Sequence, residues 1–165
     1  MLDWPDDVTA LADHLAIEKF AVAGWSFGGP YGMVCAYKIP DRLTGVGVIS
    51  SFAPYDRPGA LEGASSFNKL SLRMARWLPF WLGRQFMKMQ GRAITEDPEG
   101  AARQMLSSLP EADQEVLSDA QVVGALLPSM KEAYRRGANG LPWEGAIMVR
   151  PWGFRLQDIS IKVHI

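Results

Sequence analysis

The sequence predicts an α/β fold: a short parallel sheet of about three strands, helices flanking it, and a separate helical block. Three observations carry this. Phe20-Ala21-Val22-Ala23 and Val46-Gly47-Val48-Ile49 are apolar runs without polar alternation, the pattern of strands buried on both faces of a parallel sheet. Helical periodicity precedes and separates them, and strands alternating with helices imply parallel pairing through right-handed crossovers. From about Leu61 to Asn139 the pattern is helical alone.

Trp4 to Leu15 opens the chain as a helix. Pro5 suits its first turn, Asp6 and Asp7 favour the positive end of its dipole, and Val8, Leu11, Ala12 and Leu15 fall on one face. The first strand follows and ends in Gly24. A helix then runs to about Tyr37 and stops before Pro40, since the residue preceding a proline is driven out of the helical region. Ser51 to Pro58, after the second strand, is a loop by its Pro and Asp content. Asn68 to Leu78, Arg84 to Met89, Glu99 to Leu109 and Ser118 to Arg136 are the helices of the block. Pro128 kinks or splits the last one, which ends on Arg135 and Arg136 at its negative pole with Gly137 as cap. Ile159 to Ile165 is a third strand. The organisation is therefore a core over residues 1–58, the helical block over 59–145, and a return to the core over 146–165.

Composition bounds the function. Apolar residues make up 48% and charged residues 21%, as in soluble globular proteins. A net charge of −1 offers nucleic acid or an anionic membrane no electrostatic footprint. The start, Met1-Leu2-Asp3-Trp4-Pro5-Asp6-Asp7, is acidic and lacks the apolar segment of a signal peptide. No apolar run approaches the ~20 residues of a membrane span. Cys35 is the one cysteine, so no internal disulfide forms, which fits a reducing, cytoplasmic setting. No His/Cys/Asp/Glu cluster has metal spacing, and no cofactor is called for.

The chemistry concentrates at Gly24-Trp25-Ser26-Phe27-Gly28, which matches G-x-S-x-G between an apolar strand and a small-residue helix. In such an elbow the serine occupies a strained turn and projects its hydroxyl above the sheet. Side chains at Gly24 and Gly28 would collide with the neighbouring strand and helix. The following helix points its N-terminus at the site, and the Phe27 N–H is an oxyanion donor. The plain alternative is a tight turn with Ser26 capping the next helix. A phosphate loop is disfavoured, because no Gly-Lys-Ser/Thr ending is present and no G-x-G-x-x-G can be read from these glycines.

These residues resemble the α/β-hydrolase family. The resemblance runs through Asp6 to Leu15, Glu18 to Pro30 and Pro40-Asp41-Arg42-Leu43, and less specifically through Pro151-Trp152-Gly153-Phe154 and Ile159 to Ile165. It implies a partial α/β-hydrolase fold whose helical block is a lid. It also implies that the family's first strands, its second oxyanion donor, its usual triad acid and its histidine fall outside these 165 residues. Asp56 is an internal acid candidate, or a turn residue beside Pro54 and Pro58. His14 lies on the wrong side of the chain order Ser, acid, His, and His164 lies within the third strand, before the place where the usual acid would fall; both read as structural.

The function expected is a serine hydrolase acting on an ester or related apolar acyl compound through an acyl-enzyme on Ser26, with little turnover in this chain alone. Trp25, Trp77, Phe80 and Trp81 are candidates for an apolar substrate pocket, though such side chains serve a helical hairpin equally well. A serine at the elbow argues against epoxide hydrolases and haloalkane dehalogenases, which use aspartate there. The alternative is a non-catalytic chain that binds a small apolar ligand or a partner protein. Three strands without neighbours leave a sheet edge through which it could self-associate.

Overall fold

The computed structural model describes residues 1–64, 66–107, 109–117 and 119–165. The chain order is helix α1 (Trp4–His14), strand β1 (Phe20–Trp25), helix α2 (Gly28–Lys38), strand β2 (Leu43–Ile49), helices α3 (Ser66–Trp77), α4 (Phe80–Glu96), α5 (Pro98–Ser107), α6 (Glu111–Leu117), α7 (Ala120–Tyr134) and α8 (Gly140–Met148), and strand β3 (Val163–His164). The strands form one parallel sheet in the order β1-β2-β3, the fold class that the sequence predicts. Two compact units are present. One is Met1–Arg76 with Glu144–Ile165, and the other is Trp77–Trp143.

In the first unit α2 packs on β1 and β2, and α1 packs on α2. Cys35 and Ala36 of α2 meet Leu43 and Val46 of β2, surrounded by Val8, Phe20, Val22, Ile39 and Ile161. A second cluster joins Met33, Val48 and Trp152. Ile159 and Val163 border both, so the two clusters are one layer beneath the sheet. Burial of each large aliphatic there contributes about 1.5–3 kcal/mol. Arg42, just before β2, holds the α1–β1 loop: its guanidinium donates to the carbonyls of Glu18 (2.8 Å) and Ile17 (3.0 Å) and pairs with Asp13 (2.7 Å).

Several expectations are corrected. β1 is not buried on both faces: Phe20 and Val22 face the core, whereas Ala21, Ala23 and Trp25 are exposed. It is an edge strand, and among the described residues helices cover one side of the sheet. The inward stripe of α1 is Pro5, Val8 and Ala12, which turn toward α2, with Leu11 and Leu15 exposed. α4 is much longer than Arg84 to Met89. α7 is one continuous helix despite Pro128. The helix runs from Ala120 to Tyr134 with Pro128 inside it. The start expected for α7 at Ser118 lies outside the described residues; Asp119 caps the helix, accepting from the Gln121 N–H at 2.7 Å. β3 is two residues long rather than seven, since Ile159 and Ile161 enter the core before strand pairing begins. Helices α6 and α8 escaped the sequence reading, the latter because Gly140, Pro142 and Gly145 read as loop.

The second unit is helical. α4 packs on α5 and α7, with Ile94 buried and Gly91 accommodating the Tyr134 ring. The Phe80 and Trp143 rings meet at a tilt of 41°, with centroids 4.5 Å apart.

The β1–α2 turn explains some of its glycines. A Cβ at Gly24 would run into the Gly28 carbonyl, and one at Gly29 would run into the Ser51 side chain. A Cβ at Gly28 would meet nothing within 4 Å, so the collision expected there belongs to Gly29 instead. Gly24→Ala is expected to destabilise the chain by about 1–3 kcal/mol through overpacking, and Gly28→Ala by less than about 0.5 kcal/mol, as read from urea unfolding.

Cys35 is fully buried, and burial pushes its thiol from 9.0 up to about 11. A pKa raised in the folded state means the unfolded chain gives up its proton first. The contribution is therefore intact below about pH 9 and is lost as pH rises toward 11. Unfolding midpoints across this window should fall more steeply in the native chain than in Cys35→Ala.

Candidate functional site: the Ser26 elbow

Ser26 sits between the last residue of β1 and the first turn of α2, half-buried, with φ +52°. A positive φ at a serine costs about 1–3 kcal/mol and persists only where surrounding contacts impose it. Here β2 imposes it. The Ser26 N–H donates to the Ile49 carbonyl at 3.0 Å, and the Ser51 hydroxyl donates to the Ser26 carbonyl at 2.7 Å. That carbonyl also accepts from the Gly29 N–H at 3.1 Å, which closes the turn.

Phe27 follows in helical conformation, φ −60° and ψ −18°, as the residue that begins α2. Its ring stacks on Phe52 at 5.1 Å. Among the described residues, its N–H has no acceptor and the Ser26 hydroxyl has no hydrogen-bond partner. No acidic side chain stands in the first turn of α2, and no side chain caps it. A free N–H at a helix start can hold developing negative charge.

Sequence reasoning missed Ser51 and Phe52. Both lie in a segment recognisable only as loop, and a serine that reaches back across a parallel strand pair leaves no local signal. Ser50, with φ +45°, adds a second strained residue beside them.

The other sequence candidates lie elsewhere. Asp56 is an exposed turn residue lining a cleft of about 330 Å³ with Tyr37, Pro54, Trp152 and Phe154. Tyr37 is near the far end of α2, about 13 Å from Gly28 at 1.5 Å per residue, and Ser26 does not line the cleft. No hydrogen bond links Asp56 to Ser26 or to a histidine among the described residues. His14 ends α1 and is exposed. His164 on β3 pairs in register with Gly47, itself opposite Ala23. Two strand spacings across and three residues along put His164 about 14 Å from Ser26. Trp25, 71% exposed, lies on the uncovered face of the sheet opposite Ile49. Trp77, Phe80 and Trp81 belong to the second unit, where Trp77 and Trp81 are 79% and 67% exposed.

Among the described residues, no helix is long and apolar enough to cross a membrane. No family model matches the chain, and no solved structure matches it. Pimeloyl-[acyl-carrier protein] methyl ester esterases of Legionella pneumophila do: those of strains Corby, Paris and Lens are each 33% identical to it over 96 residues. The match covers 54% of this chain and 40% of each relative. The chain thus spans well under half the length of the curated relatives it matches. Its similarity to these esterases, together with the parallel sheet, agrees with the resemblance carried by the elbow sequence: over about half its length this chain is like a portion of an α/β-hydrolase-type ester hydrolase.

Proposed function

We propose that the chain carries the nucleophile portion of a serine esterase site. The observation that carries this reading is the left-handed backbone of Ser26 at a strand-to-helix turn, held there by hydrogen bonds from β2. In the proposed reaction the Ser26 hydroxyl attacks the carbonyl carbon of an ester. The Phe27 N–H donates to the resulting oxyanion, the alcohol leaves with a proton, and water then releases the acid from the acyl-serine. The substrate class is an ester of an apolar acyl compound. The names of the relatives support, as the substrate, a methyl ester on an acyl chain borne by a carrier protein. The helical block over residues 59–145 is proposed as the lid, its exposed Trp77, Phe80 and Trp81 supplying apolar contact, with Trp25 beside the serine. A cytoplasmic setting suits such a substrate and the free buried thiol of Cys35.

These 165 residues are proposed to turn over weakly on their own. A serine hydroxyl without an adjacent base is a poor nucleophile, and among the described residues no hydrogen bond joins Ser26 to Asp56 or to a histidine. An oxyanion hole and binding alone leave roughly 10³–10⁴-fold over water, and losing one donor removes about 10²–10³ of that. A fluorophosphonate probe should label the chain slowly, with the added mass on the peptide containing Ser26 and none in Ser26→Ala. Equal labelling of the two would refute Ser26 as nucleophile. Hydrolysis of an activated aryl ester more than about 100-fold above that of Ser26→Ala would refute the weak turnover.

The exposed outer edge of β1, with Trp25 and Ile49 uncovered beside it, favours a second reading, in which the chain self-associates or binds a partner through that edge. Sedimentation velocity should then show a concentration-dependent dimer that Trp25→Glu abolishes; a monomer at every concentration excludes self-association.

A further inference from the structure

We infer that Tyr31 and Glu144 form a positioning pair that fixes the first turn of α2, and with it the Ser26 elbow. The inference deepens the proposed role of Ser26, but its geometry stands without that role.

α2 opens with Gly28, Gly29 and Pro30. None of these carries a side chain that can reach a polar partner, and Pro30 lacks an N–H as well. The first three residues of α2 are therefore held by close packing and by the turn's backbone bonds, and make no side-chain hydrogen bond of their own. Tyr31 is the next residue. Its phenol donates to the Glu144 carboxylate at 2.6 Å, across 113 residues of sequence. Its ring meets Trp4 of α1, with centroids 5.2 Å apart and planes inclined by 59°. The first large side chain of α2 is thus held between two other elements, α1 and α8.

The short donor–acceptor distance is that of a hydrogen bond to a charged acceptor, which is stronger and more directional than a neutral one. Burial pushes the Tyr31 phenol well above its ordinary range, and the hydrogen bond and charge of Glu144 push it in the same direction, so the phenol keeps its proton for donation. Glu144 is itself held close. It precedes Gly145, where a Cβ would lie 3.6 Å from the Ala75 methyl of α3. The Arg76 guanidinium, next to Ala75, donates to the Val149 carbonyl at 3.4 Å. The acceptor therefore sits on a helix braced against α3 rather than on a loop.

The consequence lies two links away. Ser26 and the Gly29 N–H share one turn with Tyr31, so rotation or fraying of that turn moves the Ser26 carbonyl away from the Ser51 hydroxyl and the Gly29 N–H. Among the described residues, no hydrogen bond joins Tyr31 or Glu144 to Ser26, and their proposed effect is on position.

The test compares Tyr31→Phe, Glu144→Ala and Glu144→Gln in the 165-residue chain. Amide hydrogen exchange is followed at Ser26 and Gly29, with Val46 and Val48 of β2 reporting global stability. Exchange at Ser26 and Gly29 should accelerate about tenfold in Tyr31→Phe and Glu144→Ala with β2 unchanged. Glu144→Gln keeps an acceptor and should stay close to the native chain. The rate of fluorophosphonate labelling should fall about tenfold in the same two variants. Unchanged exchange at Ser26 and Gly29 in Tyr31→Phe overturns the inference, as does acceleration spread equally over β2. If Tyr31→Phe fails to fold, equal behaviour of Glu144→Ala and Glu144→Gln overturns it. If the native chain takes no label, the nucleophile reading fails while exchange still decides the pair.

Discussion

Two hydrogen bonds from the end of β2 hold the elbow in place. The left-handed serine costs about 1–3 kcal/mol. The bonds from the Ser26 N–H to Ile49 and from the Ser51 hydroxyl to the Ser26 carbonyl return about 0.5–1.5 kcal/mol each. The two sums are of one size, so neither a lone turn nor a lone strand would keep this conformation. It exists because β1 and β2 are paired, in a register that sets Trp25 against Ile49. A motif that reads as local, five residues long, is in its energetics a property of two adjacent strands.

Close packing under the turn follows from the same pairing. For the carbonyl of Gly28 to pass over β1, Gly24 must lack a side chain, and for Ser51 to reach Ser26, Gly29 must lack one. Further along, Gly32 brings α2 to the Val22 side chain, with a Cβ there at 3.6 Å from Val22 Cγ1. α2 can therefore lie low on the sheet, and Val34, Cys35 and Ala36 become fully buried. The opposite face of the sheet carries Ala21 against Gly45 and Ala23 against Gly47. Methyls and hydrogens expose little apolar area, so this face can stay uncovered at small cost, except at Trp25 and Ile49.

What was legible in the sequence was what local pattern determines. β1, β2 and the start of α2 are short apolar runs joined by a glycine-rich turn, and the turn residues themselves specify the elbow. What was not legible depends on partners distant in the chain. Whether β1 is buried on one face or two depends on which elements cover the sheet, and alternation is hidden when the outward residues are alanines. β3 looked long because Ile159 and Ile161 alternate correctly, yet their side chains serve the core without strand pairing behind them. Pro128 read as a break because a proline ring clashes four residues back, yet α7 runs through it. Ser51, Phe52 and Glu144 are invisible for a related reason, since each matters through a contact with the elbow or its helix made from 25 to 113 residues away.

The electrostatics of α2 separate it from several of its neighbours. α1 opens with Asp6 and Asp7, α5 with Glu99, and α6 with Glu111 and Asp113, so the positive ends of those dipoles meet negative charge from their own sequences. α2 has neither an acidic first turn nor a capping side chain. By ordinary capping energetics this forgoes about 1 kcal/mol of helix stability. In exchange, the uncompensated pole and the free Phe27 N–H stay available beside the Ser26 hydroxyl. A carboxylate in that turn would stabilise the resting helix and repel the oxyanion that an acyl-transfer step creates. In the proposed reaction, leaving the pole bare favours the charge that would develop over the resting protein, the sense in which preorganised dipoles assist catalysis. The elbow is thus suited to present and stabilise. Taking the proton from the serine is a separate task, and His164, about 14 Å away, is too far to perform it.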